Sequence, residues 1–224
     1  LSAVDSSVGG KTAIDIAAGK NLVGAFYQPL AVFCDVDLIQ TMDDAFFADG
    51  VAESIKYGVL MDAALFDRLA DKRLTKDAAD LAEIASACVS HKNKIVSEDE
   101  FEKGTRQLLN LGHTFAHAIE QLSDFATSHG HAVAIGLAMM ARASMRKGWC
   151  SQRTAQRIEW ALAENALPAN TDYDADAILE ICRRDKKAGA SAITIVVPHA
   201  IDCVLRTVSY DDLRELIILG KEPL

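Results

Sequence analysis

The sequence predicts a mainly α-helical fold that opens on a short α/β remnant and carries a small β-hairpin near residues 191–208. Three observations predict it. From Phe46 onward, apolar residues recur at helical spacing in one run after another. Residues 1–41 instead mix a glycine-rich turn, a KNLVGAFYQP segment and a β-like run, as the tail of an α/β unit would. SAITIVVP followed by DCVLRTV reads as two short strands joined by a turn. We therefore divide the chain into 1–42, the end of an α/β domain, and 43–224, a helical domain.

Taken in order, Ala31–Asp35 is the β-like run of the first part. Thr41 with Asp44 three residues on forms a capping pair, and Phe46–Leu69 then holds the spacing of one helix. Further helices fit 76–96, 106–123, 130–147, 151–166 and 174–186, with Pro168 and the polar residues after it as an interhelical turn. Strands fit 191–198 and 202–208, and a last helix starts near Ser209. No internal repeat is visible.

Composition removes several function classes. At 224 residues and 50% hydrophobic, the chain is long enough for one large domain or two small ones. A net charge of −9 argues against nucleic acid, which needs a broad basic surface. No run of about 18 apolar residues suggests membrane insertion, and no basic-then-apolar start suggests secretion, so the expected location is cytoplasmic. The cysteines Cys34, Cys88, Cys150, Cys182 and Cys203 are odd in number and widely spaced, which reads as reduced, buried thiols. The chain starts with Leu1 and enters a dense motif at once, so we expect the downstream part of a longer polypeptide.

The motifs that carry chemistry begin with RQLLNLGHTFAHAIE, Arg106–Glu120. Read as one helix, it puts Arg106, Asn110, His113 and His117 on one face at spacings of four, three and four, a polar stripe where a core stripe would be apolar. Thr114 stands where a zinc-protease HExxH helix needs its glutamate, which argues against peptide hydrolysis. His129 and His131 follow across a short hairpin. GVAESIKYG places Glu53 and Lys56 on one helix face, where the bland reading is a surface ion pair, but the neighbours are too apolar for the pair to be fully wet. Glu53, His113 and His129 would then form a Glu/His/His set with an open position, as a catalytic zinc requires. DSSVGGKT is not a P-loop, because Asp5 occupies the place of the first glycine; Gly9 and Gly10 still allow close backbone approach and Lys11 offers a point charge. An ordinary tight turn explains that motif equally well, as it does the Gly-Lys-Asn turn at Lys20 and Asn21. Of the acidic run SEDEFEKG, Glu98, Asp99 and Glu100 read as a solvated connector and Glu102 as the ambiguous member.

Five stretches in order, DSSVGGKTAID, GKNLVGAFYQP, AESIKYG, DEFEKGTRQLLNLGHTFAHAIE and HGHAVAIG, together resemble the 3-dehydroquinate synthases of the shikimate pathway, a sugar-phosphate cyclase family. The resemblance runs to about Leu219, with most of the family's N-terminal NAD-binding domain lying before Leu1. It implies zinc, or alternatively cobalt, on Glu53, His113 and His129. It also implies substrate contacts from Asp5, Lys11, Asn21, Lys56, Lys92, Arg106 and Asn110, with Lys56 and Arg106 also serving catalysis. His117 and Glu102 become proton-transfer groups. NAD would be touched by Lys11, Lys20 and the turn Leu38, Ile39, Gln40, Thr41. Lys187 or its neighbour Lys186 would close over the substrate phosphate.

The implied reaction converts a phosphorylated keto acid, 3-deoxy-arabino-heptulosonate 7-phosphate, to 3-dehydroquinate and phosphate, in a homodimer, with neither nucleic acid nor membrane as partner. One departure stands out: the family's HGE is HGH here, so His131 replaces a glutamate beside a metal ligand and would have to orient that neighbour as a neutral acceptor or a donor. Related cyclases carry histidine there, whereas His117 matches the dehydroquinate branch. Three rivals remain: another sugar-phosphate cyclase, a metal-dependent NAD alcohol dehydrogenase of related fold, and a non-catalytic helical domain. The chain alone is expected to be inactive.

Overall fold

In the computed structural model, which describes residues 1–16, 19–184 and 191–224 and leaves the side chains of 15 and 19–22 undescribed, helices dominate. After a single wide turn, Ser2–Ser6, come strands β1 (Lys11–Ile16) and β2 (Gly19–Phe26), paired antiparallel with Lys11 opposite Phe26. Helices α1 (Val36–Ile39), α2 (Asp44–Met61), α3 (Ala63–Asp71) and α4 (Ala78–Glu98) follow, then a 3-10 turn, Thr105–Asn110. Next are α5 (His113–Leu122), α6 (His129–Arg146), α7 (Gln152–Glu164) and α8 (Ala175–Arg184). The hairpin β3 (Ala192–Pro198) and β4 (Cys203–Ser209) leads into α9 (Tyr210–Lys221), which Ser209 and Asp212 start as a reciprocal capping box.

Helix α6 is the axis of the body. Every residue from Ala132 to Ser144 is buried, and α2, α5, α7 and α9 pack around it. Its run of alanine and glycine explains why: small side chains let several neighbours approach at once. The closest approach is to the residue before α5. Gly112 has φ +77°, and a Cβ on Gly136 of α6 would lie 2.1 Å from the Gly112 carbonyl oxygen. Backbone thus meets backbone where the polar stripe of α5 begins. At the far end of α6, buried Arg142 pairs with Glu159 and donates to the carbonyls of Ala169 and Gly220.

Several expectations need correction. Arg106–Glu120 is not one helix: the 3-10 turn stops at Asn110, and left-handed Gly112 breaks the ladder before His113, so the four polar groups do not share one helical stripe. The helix read over Phe46–Leu69 is two, broken at Asp62, whose side chain turns back to accept from the Leu65 amide and cap α3. Helix α2 starts after Asp43 rather than from a Thr41 cap, and the Thr41 hydroxyl bonds to Leu38 O in the preceding turn. Ala31–Asp35 is irregular, because no strand among the described residues pairs with it. Lys20 and Asn21 lie within β2 rather than in a turn. Asp99 stays half-exposed in the connector but does more than connect: it accepts the amides of Lys103, Gly104 and Arg106 and builds the turn before the 3-10 segment. Cys34 is exposed, unlike the buried Cys88 and Cys182. No helix among the described residues is long and apolar enough to cross a membrane.

Candidate metal centre and its cleft

Glu53 sits in the middle of α2 with no exposed surface, while His113 and His129 are the first residues of α5 and α6. One ligand atom from each lies within 4.8 Å of the others. The Glu53 Oε1 atom is 3.4 Å from His113 Nε2 and 3.2 Å from His129 Nε2. Tetrahedral zinc with bonds of ~2.0–2.1 Å would hold its ligand atoms ~3.3 Å apart, so both Glu53–histidine spacings fit such an ion. The outward nitrogens fit as well: His113 Nδ1 faces Leu111 O at 3.0 Å and His129 Nδ1 faces a Glu120 carboxylate oxygen at 3.2 Å. Each ring can donate outward from Nδ1 and present the Nε2 lone pair inward. Glu53 Oε2 is taken by the Lys56 ammonium, which leaves Oε1 turned towards the two imidazoles as the oxygen a metal would use.

The surrounding charges alternate. Lys56 Nζ lies 2.5 Å from Glu53 Oε2 and 3.9 Å from Asp5 Oδ2; Lys92 Nζ lies 2.8 Å from Asp5 Oδ1, to which the Tyr57 hydroxyl also donates at 2.6 Å. Burial works to raise the Glu53 carboxyl, but the Lys56 ammonium and the two imidazoles hold it well below the usual carboxylate range. Burial likewise opposes charge on Asp5, and Lys56 and Lys92 outweigh it. Lys56 is raised because Glu53 and Asp5 overcome its burial, whereas for Lys92 burial prevails and lowers it. His113 is lowered chiefly by burial. Burial would lower His129 too, but its bonds to Glu120 and Glu53 push it up to about 10, so a proton and a metal compete for that ring.

A cleft of about 480 Å³ opens over His113, lined by Lys11, Glu102, Asn110 and His117 and walled by Ile193, Thr194, Val196 and Leu205 of the β3–β4 hairpin. Glu102 takes a left-handed backbone conformation, φ +58°, pairs with Lys11 and accepts from Asn110 Nδ2 at 2.8 Å. A second cleft of about 570 Å³ reaches His129 between Asp5, Lys11, Lys92 and the β1–β2 hairpin, so Lys11 borders both.

Other candidates fall elsewhere. Arg106 is buried, and its guanidinium donates to the carbonyls of Gly9 and Glu100, pinning the glycine turn rather than lining the cleft. Leu38 and Ile39 line a separate apolar cavity of about 270 Å³ with Val4, Met42 and Phe46. Gln40 bonds to Asp37 and Thr41 to Leu38 O, both locally. The side chains of Lys20 and Asn21, and all of Lys186 and Lys187, lie outside the described residues. His131 bonds to Asp49 and Ser128; the carboxylate behind His129 is Glu120 instead. The sequence reading missed Glu120 and Asp49. The signal was available: Glu120 follows His113 by seven and Asp49 precedes Glu53 by four, spacings that share a helix face.

Comparison with known proteins adds the following. Residues 50–188 match the family profile described as 3-dehydroquinate synthase C-terminal, and residues 1–49 that described as 3-dehydroquinate synthase N-terminal. Among curated relatives, a 3-dehydroquinate synthase of Syntrophotalea carbinolica is 44% identical over 93% of this chain and 59% of its own length. One of Pelobacter propionicus is 42% identical over 96% and 62%. The chain thus spans about three fifths of these relatives. A crystal structure of 2-deoxy-scyllo-inosose synthase with carbaglucose-6-phosphate, NAD+ and Co2+ superposes with TM-score 0.84 at 24% identity, covering 96% of this chain and 63% of that one. ValA, a 2-epi-5-epi-valiolone synthase from Streptomyces hygroscopicus with NAD+ and Zn2+ bound, gives 0.85 at 20%, covering 98% and 63%. These last likenesses show the fold alone.

Proposed function

The chain belongs to the 3-dehydroquinate synthase family, and from that premise we propose that it forms the metal- and substrate-binding part of an enzyme converting 3-deoxy-arabino-heptulosonate 7-phosphate to 3-dehydroquinate and phosphate. The observation that carries the reading is the convergence of Glu53, His113 and His129 beside a cleft that also holds His117, Glu102, Asn110 and Lys11. On this reading residues 43–224 are the helical catalytic body, residues 1–42 close an NAD-binding domain, and the protein works as a homodimer. Zinc, or cobalt in its place, supplies a Lewis acid for the reacting hydroxyl and carbonyl, and NAD+ a hydride acceptor that is regenerated within each cycle.

The chain's own residues do the rest. Lys11, bordering both clefts, holds substrate anions where dinucleotide and substrate meet, and its partner Glu102 takes and returns a proton. His117, on the cleft wall with its ring centre 5.6 Å from that of His113, moves the second proton. Lys56 and Lys92 balance Glu53 and Asp5 from beneath, so the acidic chain need not repel an anionic substrate locally. Arg106 acts by fixing the glycine turn, and a bond from it to substrate requires that turn to open.

The test uses the full-length protein with zinc, NAD+ and the heptulosonate phosphate. Phosphate should be released with no net NADH, and His117→Asn should slow release about a hundredfold or more with zinc content unchanged. NADH accumulating in step with turnover would identify a dehydrogenase instead; residues 1–224 alone should turn nothing over.

A further inference from the structure

Asp49 lies one turn before Glu53 on α2, so the two share a face of that helix. Its carboxylate is buried, and a single oxygen, Oδ1, faces three groups at the start of α6: the Ser128 hydroxyl at 2.6 Å, the His131 amide at 3.0 Å and His131 Nδ1 at 2.9 Å. Ser128 is the residue that caps α6, yet its side chain makes no capping bond to its own helix. The amide three residues on, which a cap ordinarily satisfies, is taken by Asp49 from a neighbouring helix. Between them, a Cβ on Gly130 would lie 2.2 Å from the Asp49 Cα, so the first turn of α6 rests directly on the backbone of α2. His129, one of the metal-ligating set, is held inside this clamp between Ser128 and Gly130.

We propose that Asp49, with Ser128, Gly130 and His131, is a positioning device that fixes the separation of Glu53 and His129 and thereby sets the affinity of the metal centre. The inference rests on the metal reading above. The path is short: one turn of α2 joins Asp49 to Glu53, and one peptide joins Ser128 to His129. Nothing in the clamp touches the ion's place directly, so its action is on ligand spacing. A misplaced ligand costs affinity because the ion cannot keep all its bonds at their preferred length.

The test measures Zn2+ affinity by chelator competition, and the Co2+ absorption spectrum, in the full-length protein. Asp49→Ala should weaken zinc about 10- to 100-fold and shift the cobalt bands. Ser128→Ala, a smaller change that covers the case in which the first variant fails to fold, should weaken it by up to about tenfold, and Ser128→Thr should restore it. Asn165→Ala, which removes buried bonds to the Leu69 and Ala161 carbonyls, serves as the control: it should lower the melting temperature and leave metal affinity alone. Wild-type affinity and an unchanged cobalt spectrum in Ser128→Ala and in any folded Asp49→Ala would overturn the clamp while the metal centre stands. A wild-type protein that takes up neither ion would overturn both.

Discussion

In α2 and its neighbours even charged side chains are out of water: Glu53 and Lys56 expose 0% and 1% of their surface. In the β1–β2 hairpin and the segment after it, even large apolar side chains are in it: Phe33 is 95% exposed, and Ile14, Tyr27 and Leu30 are also on the surface. The difference shows what each region depends on. The buried ionic groups of the body find their partners within the same described chain: Lys56 meets Glu53, Lys92 meets Asp5 and Arg142 meets Glu159, while Arg106 is satisfied by the carbonyls of Gly9 and Glu100. The apolar residues of the hairpin arm have no such cover among the described residues, so their burial depends on what lies against them in the whole protein.

The sharpest way to break this contrast is Glu53→Gln. It removes the nearer counter-charge of buried Lys56 and leaves only the Asp5 carboxylate at 3.9 Å, and a denaturant titration should show a loss of about 3 kcal/mol, together with loss of zinc binding. A loss below 1 kcal/mol would mean the pair is not closed off from solvent as the structure has it. Next comes Glu120→Gln, which keeps the shape but weakens the acceptor behind His129. Zinc affinity should fall about 10- to 100-fold, read by chelator competition, with little change in melting. The smallest effect is expected from Phe33→Ser in the 224-residue chain, within about 0.5 kcal/mol of wild type. If the same substitution costs several kcal/mol in the full-length protein, the arm is covered there, and the contrast belongs to the shorter chain alone.

Much of this architecture could be read from local pattern. The helices α4, α6, α7 and α8 and the 191–208 hairpin follow from periodicity and turn residues, because packing reinforces what each segment prefers on its own. The apolar setting of GVAESIKYG correctly argued against a surface ion pair at Glu53 and Lys56, since neighbours along one helix report burial. Elsewhere local pattern misled. Counting spacings across LNLGH carried the helix through Gly112, although glycine is itself a break signal. The Ala31–Asp35 run has strand-forming residues, but a strand exists only with a partner, and propensity does not supply one. The Asp5 contacts to Lys56, Tyr57 and Lys92, 51 to 87 positions away, leave no trace in spacing at all. Nor does the Asp49 bond to Ser128, which exists only because α6 folds back on α2.

The seat of His113 has one more consequence. Where Gly112 meets Gly136, no side chain stands between the two helices, and so no rotamer can absorb a change of spacing. This side of the centre behaves as a fixed jaw. The start of α6 is braced on α2 in the same way where Gly130 meets Asp49, so any give needed to accommodate ions of different radius has to come from rotation of the three ligand side chains, not from sliding of the helices.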